Sequence, residues 1–180
     1  MKRFLRFYIL ITAGMIAGCE NDEKQVELIS QKKNFPVETA SNIEVLYSDS
    51  ALVKVKLTAP EMKRFTGIKP YVEMPKGINL TFYDDGLNII STLKANYAIN
   101  REQEDIMEAR NNVVVVNEKG EKLNSEHLIW NKRTHKIYSD VFATITTQNE
   151  IIQGNGFEAN EDFSKYKINK VTGIFTFNKK

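Results

Sequence analysis

The 180-residue sequence contains one cysteine and two histidines, and each scarcity removes a class of explanation. With only Cys19 available, no intramolecular disulfide can hold the fold, even in an oxidising compartment. His127 and His135 have no cysteine or carboxylate partner at ligand spacing, so no metal-binding pattern is present. His135 sits in a polar run, Asn131-Lys132-Arg133-Thr134, and reads as a solvated turn residue. There is no GxSxG elbow, no phosphate-cradling loop and no nucleophile–histidine–acid set. Gly154-Asn155-Gly156 lacks a following helical pattern and so is no dinucleotide fingerprint. Asp84-Asp85 and Glu161-Asp162 fall in turn sequences, where aspartate serves backbone geometry. Asn79-Leu80-Thr81 fits a glycosylation sequon by chance, within a strand pattern. These absences argue against an enzyme, and neither a cofactor nor a metal is implied.

A long hydrophobic run is also missing. Residues 7–17 are uncharged and largely apolar but too short to cross a bilayer, and Lys2, Arg3 and Arg6 precede them. The stretch ends in Ile16-Ala17-Gly18-Cys19, which resembles a bacterial lipobox. Small residues before the cysteine admit a signal peptidase, and the Cys19 thiol would then carry a diacylglycerol. An ordinary signal peptide or an uncleaved anchor is the alternative. Residues 1–18 are therefore expected to be a lipoprotein signal peptide. Their removal takes three of the 25 basic residues and none of the acidic ones, leaving 22 against 23. The formal +2 becomes −1, so neither nucleic-acid binding nor a polybasic membrane surface has support. Residues 19–42 are polar and of mixed charge, the composition of a solvated tether on a lipid-anchored chain. A short helical turn at Val26-Glu27-Leu28-Ile29 is the competing reading. Several acyl chains on Cys19 would give durable membrane attachment, which a single chain does not.

The remainder, residues 43–180, has a period of two almost throughout and no sustained helical pattern. Val53, Val55 and Leu57 alternate with polar residues up to Pro60, which is expected to end that strand. Met62 and Phe65 could form a helical turn or plug one end of the core. Ile78, Leu80 and Phe82 lead into Asp84-Asp85-Gly86, a strong hairpin signal, and Ile89, Ser91, Leu93, Ala95 and Tyr97 share one face beyond it. Glu118-Lys119-Gly120 and Gln148-Asn149 mark two further turns, and Gly154-Asn155-Gly156 suggests a bulge or a close backbone approach. A unit recurs about every thirty residues: Ala98-Ile99-Asn100, Ile129-Trp130-Asn131 and Glu158-Ala159-Asn160, each after an alternating strand. Such repetition stacks hairpins along an axis. The fold class is all-β, an antiparallel twisted jelly roll or open sandwich of ten or more strands with an internal apolar groove. Val113–Val116, Leu128-Ile129-Trp130 and Ile151-Ile152 are apolar on both faces, so each needs cover on both sides: loops, a partner or a lipid chain.

Residues 95–100, 109–115, 120–131, 137–140 and 151–157 resemble the OstA-like units of the LptC family, the periplasmic bridge proteins of lipopolysaccharide export. The resemblance covers about 95–160 well and 45–94 loosely. It departs at Cys19, where familiar members keep an uncleaved transmembrane helix. It implies a jelly roll that receives lipopolysaccharide, through its lipid A acyl chains, from the permeases of an inner-membrane ABC transporter. The cargo would pass to a periplasmic OstA-like bridge protein joined by edge-strand addition. The Cys19 motif, where the chain departs from the family, adds the expectation of a lipid anchor on the periplasmic face, on the inner membrane rather than the outer. The residues expected to line the groove are Val53, Val55, Leu57, Leu80, Phe82, Leu93, Val113, Val115, Ile129, Ile145 and Phe157. Plain core packing is the alternative for each. Two other functions compete: a structural or adhesive outer-membrane β-sandwich lipoprotein without lipid cargo, and a generic carrier of hydrophobic cargo.

Overall fold

The structure, a computed structural model, describes residues 35–177. The expected signal peptide, lipidation site and most of the tether lie outside the described residues. Within them the chain is all-β, with one 3-10 turn at Glu102–Glu104 and no α-helix. The strands are β1 Glu38–Asp49, β2 Leu52–Phe65, β3 Tyr71–Met74, β4 Ile78–Tyr83, β5 Ile89–Ala95, β6 Tyr97–Arg101, β7 Ile106–Asn117, β8 Lys122–Asn131, β9 Lys136–Thr146, β10 Glu150–Asn160 and β11 Tyr166–Thr176. All pair antiparallel in one sheet of 11 strands, consistent with a β jelly roll.

Local chemistry sets the turns. Between β4 and β5, Asp84 Oδ1 accepts the N–H groups of Gly86 at 2.9 Å and Asn88 at 2.8 Å. Between β7 and β8, Asn117 Oδ1 accepts those of Lys119 and Glu121, each at 3.0 Å. Both aspartate and asparagine here replace a ladder partner with a side-chain oxygen. Alternation sets the faces: Ile78, Leu80 and Phe82 on β4 are buried while Asn79 is exposed.

Two boundaries differ from the sequence expectation. Strand β2 runs through Pro60 to Phe65 instead of ending there. Proline is tolerated because, on the edge away from β1, β2 has left β4 after residue 58 and meets β3 only from residue 63. Met62 and Phe65 are therefore strand residues, and Phe65 stacks on Tyr71 with ring centroids 4.6 Å apart. Strand β1 begins at Glu38, inside the stretch expected as tether, because residues 38–41 pair with the far half of β2 and Glu38 meets Arg64 at 3.1 Å.

The pairing pattern explains the shape. The first half of β2 reaches the second half of β7 through β4 and β5; its second half reaches the first half of β7 through β3 and β6. Two short bridges thus span the same two long strands. Gly77 joins the bridges at φ +89°, and a Cβ there would sit 2.5 Å from the Ala95 carbonyl oxygen, so only glycine lets them approach. On β7 the split coincides with Asn111 and Asn112, both at positive φ. Bulges continue the crease at residues 110–113 of β7, 125–129 of β8 and 155–157 of β10. A bulge bends its strand and increases local twist.

Folding over of the sheet is visible in its side chains. Strands β1 and β8 are five steps apart through β2, β4, β5 and β7, roughly 24 Å on a flat sheet. Yet the rings of Tyr47 on β1 and Trp130 on β8 are 6.2 Å apart, edge to face. Phe82 on β4 meets the same tryptophan at 5.7 Å. One continuous core results, drawn from both bridges and from the two arms they join, β1–β2 and β7–β11.

Candidate functional site

The interior is packed unevenly. At the β9–β11 end, Val115, Leu123, Ile145, Phe157, Phe163 and Tyr166 surround a space of only about 20 Å³, little more than one water. That end is shut by its own side chains. On the side of β1 the arms stand apart around an apolar cavity of about 180 Å³. Ile43, Val45 and Tyr47 form one wall, Leu57, Met62 and Leu80 another, and Met74, Met107 and Trp130 the third. Methionine thioethers suit such a lining because they adapt to irregular apolar contents. Strand β1 supports its wall from one side only, through β2, and Val45 remains 48 % exposed.

A second, polar cavity of about 740 Å³ lies where the β4–β5 turn faces the β10–β11 turn. Tyr47 and Val55 line both cavities, so they form the partition between them. Trp130 reinforces the partition: its Nε1–H donates to Glu161 Oε2 at 3.1 Å, and Glu161 lines the polar side. Within this second cavity Lys54 pairs with Asp85, and His135 Nδ1 lies 2.9 Å from Glu161 Oε1. Hydrogen bonds from Asn88 hold the Asp84 carboxyl below its ordinary range.

The crease is pinned from outside by a charged cluster. Glu108 on β7 is buried and ion-paired with Arg101 on β6 and Arg110 on its own strand, and His127 Nε2 on β8 lies 3.3 Å away. Burial pushes the Glu108 carboxyl up, but hydrogen bonds and charge from the two arginines outweigh it and hold the group below the ordinary glutamate range.

The expected groove residues divide into three sets. Val55, Leu57 and Leu80 line the apolar cavity, and Phe82 with Val55 lines the polar one. Leu93, Val113, Val115, Ile145 and Phe157 are buried in the continuous core, the last two and Val115 at its closed end. Val53 and Ile129 are half-buried and lie outside the core cluster. For Ile129 this is a correction with a clear cause. The bulge between Ser125 and Ile129 changes the parity of β8, so Leu128 and Trp130 take the inward positions. Sequence reading also missed Ile43, Val45, Tyr47, Met62, Met74, Met107 and Trp130. The alternation Ile43, Val45, Tyr47 was present as a signal, but nothing local says which strand those residues would oppose. Cys19 lies outside the described residues.

Among the described residues the sheet ends in two free edges, β1 and β11. Both expose apolar side chains: Leu46 on the first, Val171, Ile174 and Phe175 on the second. Among the described residues no group of histidine, cysteine and carboxylate side chains is placed to hold a metal, and no helix is long and apolar enough to cross a membrane.

A comparison with curated proteins finds no match. A comparison with protein families finds one, described as "Lipopolysaccharide-assembly, LptC-related", over residues 7–175, nearly the whole chain. That family consists of periplasmic transport-bridge proteins, not of a known class of enzymes. The described residues form a curled antiparallel sheet with a partly open apolar interior, and the chain belongs to the LptC family of lipopolysaccharide transport.

Proposed function

We propose that this chain is a lipid-anchored periplasmic component that takes lipopolysaccharide from the permeases of an inner-membrane ABC transporter. It passes the lipid to an OstA-like bridge protein by edge-strand addition. The observation that carries this reading is the apolar cavity between the arms, across which the rings of Tyr47 and Trp130 meet at 6.2 Å. Acyl chains travel along Val55, Leu57, Leu80 and Phe82. Passage onward, past Leu93, Val113, Val115, Ile145 and Phe157, requires the packed end to loosen as cargo is pushed in. Each methylene withdrawn from water contributes about 0.8 kcal/mol, so a few are enough for capture and partial cover keeps release feasible.

Strand β11 supplies the onward edge in this reading, with its backbone polar groups unpaired on one side among the described residues and apolar side chains at hand. Cys19 supplies the anchor, held to the inner membrane. The test is site-specific photocrosslinking from Leu57, Leu80 and Met74 in cells, with Tyr138 on the outer face as control. Lipopolysaccharide adducts at the interior positions and none at Tyr138 are expected. A folded protein giving no interior adduct would leave an anchored sandwich without cargo. Cys19→Ser is expected to move the protein from the membrane to the soluble fraction or to leave it unprocessed.

A further inference from the structure

The rim of the apolar cavity carries two cations whose situations differ. Arg64 is matched by carboxylates, with Glu38 at 3.1 Å and Glu102 at 3.4 Å. Lys132, directly after β8, is half-buried and, among the described residues, has no carboxylate oxygen within ion-pair distance. Its Nζ donates one hydrogen bond, to Asn100 Oδ1 at 2.9 Å. An ammonium has three donors, so two lack an acceptor among the described residues. The neighbouring acids are committed elsewhere: Glu102 to Arg64, and Asp105 to Arg133 at 2.9 Å.

The lysine is not there by looseness of the chain. Its own N–H donates to the Asp105 carbonyl at 2.9 Å, which fixes it beside the 3-10 turn after β6. Burial lowers its pKa, with Asp105 and Glu102 acting weakly the other way. A lowered lysine pKa marks a charge that costs folding energy at neutral pH; the sign follows because the unfolded chain holds that proton more tightly. A group kept at such a cost, on the rim of a cavity walled by Leu57, Met74, Met107 and Trp130, has the chemistry to receive an anion attached to an aliphatic chain.

We infer that Lys132, oriented by Asn100, binds the phosphate of an acylated lipid whose chain occupies the apolar cavity. The inference rests on the reading that the interior takes acyl chains, and it adds a positioning residue to it. Size agrees: about 180 Å³ is below the usual range for a small-molecule pocket, so it holds part of one chain and leaves the head group at the rim. Lys132 then sets the depth to which the chain enters.

Trp130 is the chain's single tryptophan and lines the cavity, so its emission reports occupancy directly. The full chain is titrated with monododecyl phosphate, with dodecyl maltoside of the same chain length, and with inorganic phosphate, all below micelle formation. Wild type is expected to prefer the phosphate amphiphile by about tenfold over the neutral one, with no response to inorganic phosphate. Lys132→Met should lose that preference while its affinity for the maltoside is unchanged, and Lys132→Arg should keep it. An unaltered preference in a folded Lys132→Met, or inorganic phosphate binding as tightly as the amphiphile, overturns the inference and leaves chain binding standing. No emission change with either amphiphile in any variant overturns the acyl-chain reading itself, and this inference with it.

Discussion

Replacing Trp130 by alanine removes the side chain that meets Tyr47 across the apolar opening. The indole is 7 % exposed and makes edge-to-face contacts with Tyr47 and Phe82, as well as its hydrogen bond to Glu161. A buried aromatic of this size removes roughly 150–250 Å² from water. At roughly 25 cal/mol per Å² that is about 4–6 kcal/mol before relaxation. Large-to-small changes of this kind cost about 3–5 kcal/mol. We expect about 4 kcal/mol, which lowers the melting temperature by roughly 8–16 °C in a domain of this size. Circular dichroism is the assay, because the variant has no tryptophan to follow by fluorescence. The sharper measurement is a double-mutant cycle with Tyr47→Ala, which isolates the contact across the opening. Coupling of about 0.5–1.5 kcal/mol is expected for an aromatic pair. Coupling indistinguishable from zero would mean that β1 does not rest on β8, and the partition between the two cavities would not exist as described. A single-mutant cost under about 1 kcal/mol would refute the ring's place in the core as well.

Two further outcomes follow from the crease and the edge. Glu108 has a folded-state pKa below its unfolded value of 4.5, so its ion pairs stabilise the fold above that value. That stability is lost as pH falls through the folded-state pKa. Glu108→Gln should therefore cost about 2 kcal/mol at neutral pH and flatten the acid limb of a stability–pH curve; an unchanged acid limb would exclude the cluster as its source. Gly154→Ala would place a Cβ 2.3 Å from the Lys170 carbonyl oxygen, a backbone atom of β11 that cannot turn aside. A loss of about 1–3 kcal/mol, with faster hydrogen exchange confined to β10 and β11, is expected, and uniform protection would contradict the close approach.

The sequence by itself determined the elements. Period-two alternation, turn residues such as Asp84 and Asn117, and the recurrent asparagine-ended strands are local signals, read from neighbours in the chain because strand faces and turn dihedrals are local matters. They specified an all-β fold and the hairpins, and they marked Gly154-Asn155-Gly156 as a bulge or a place of close approach. What they could not specify was opposition. Pro60 looked like a terminus because nothing local shows that β2 changes partners around it. Ile129 looked inward because a bulge, which inserts one residue against a neighbouring strand, shifts parity without a mark in the strand's own composition. The same holds for the interior. Apolar residues facing inward are needed equally to fill a core and to line a cavity, and only the distance between opposing arms separates the two outcomes. That distance is set by the two bridges between β2 and β7 and by the bend at Asn111 and Asn112. Tertiary structure therefore decided that Val115, Ile145 and Phe157 close one end, while Leu57, Met74 and Trp130 line the cavity at the other.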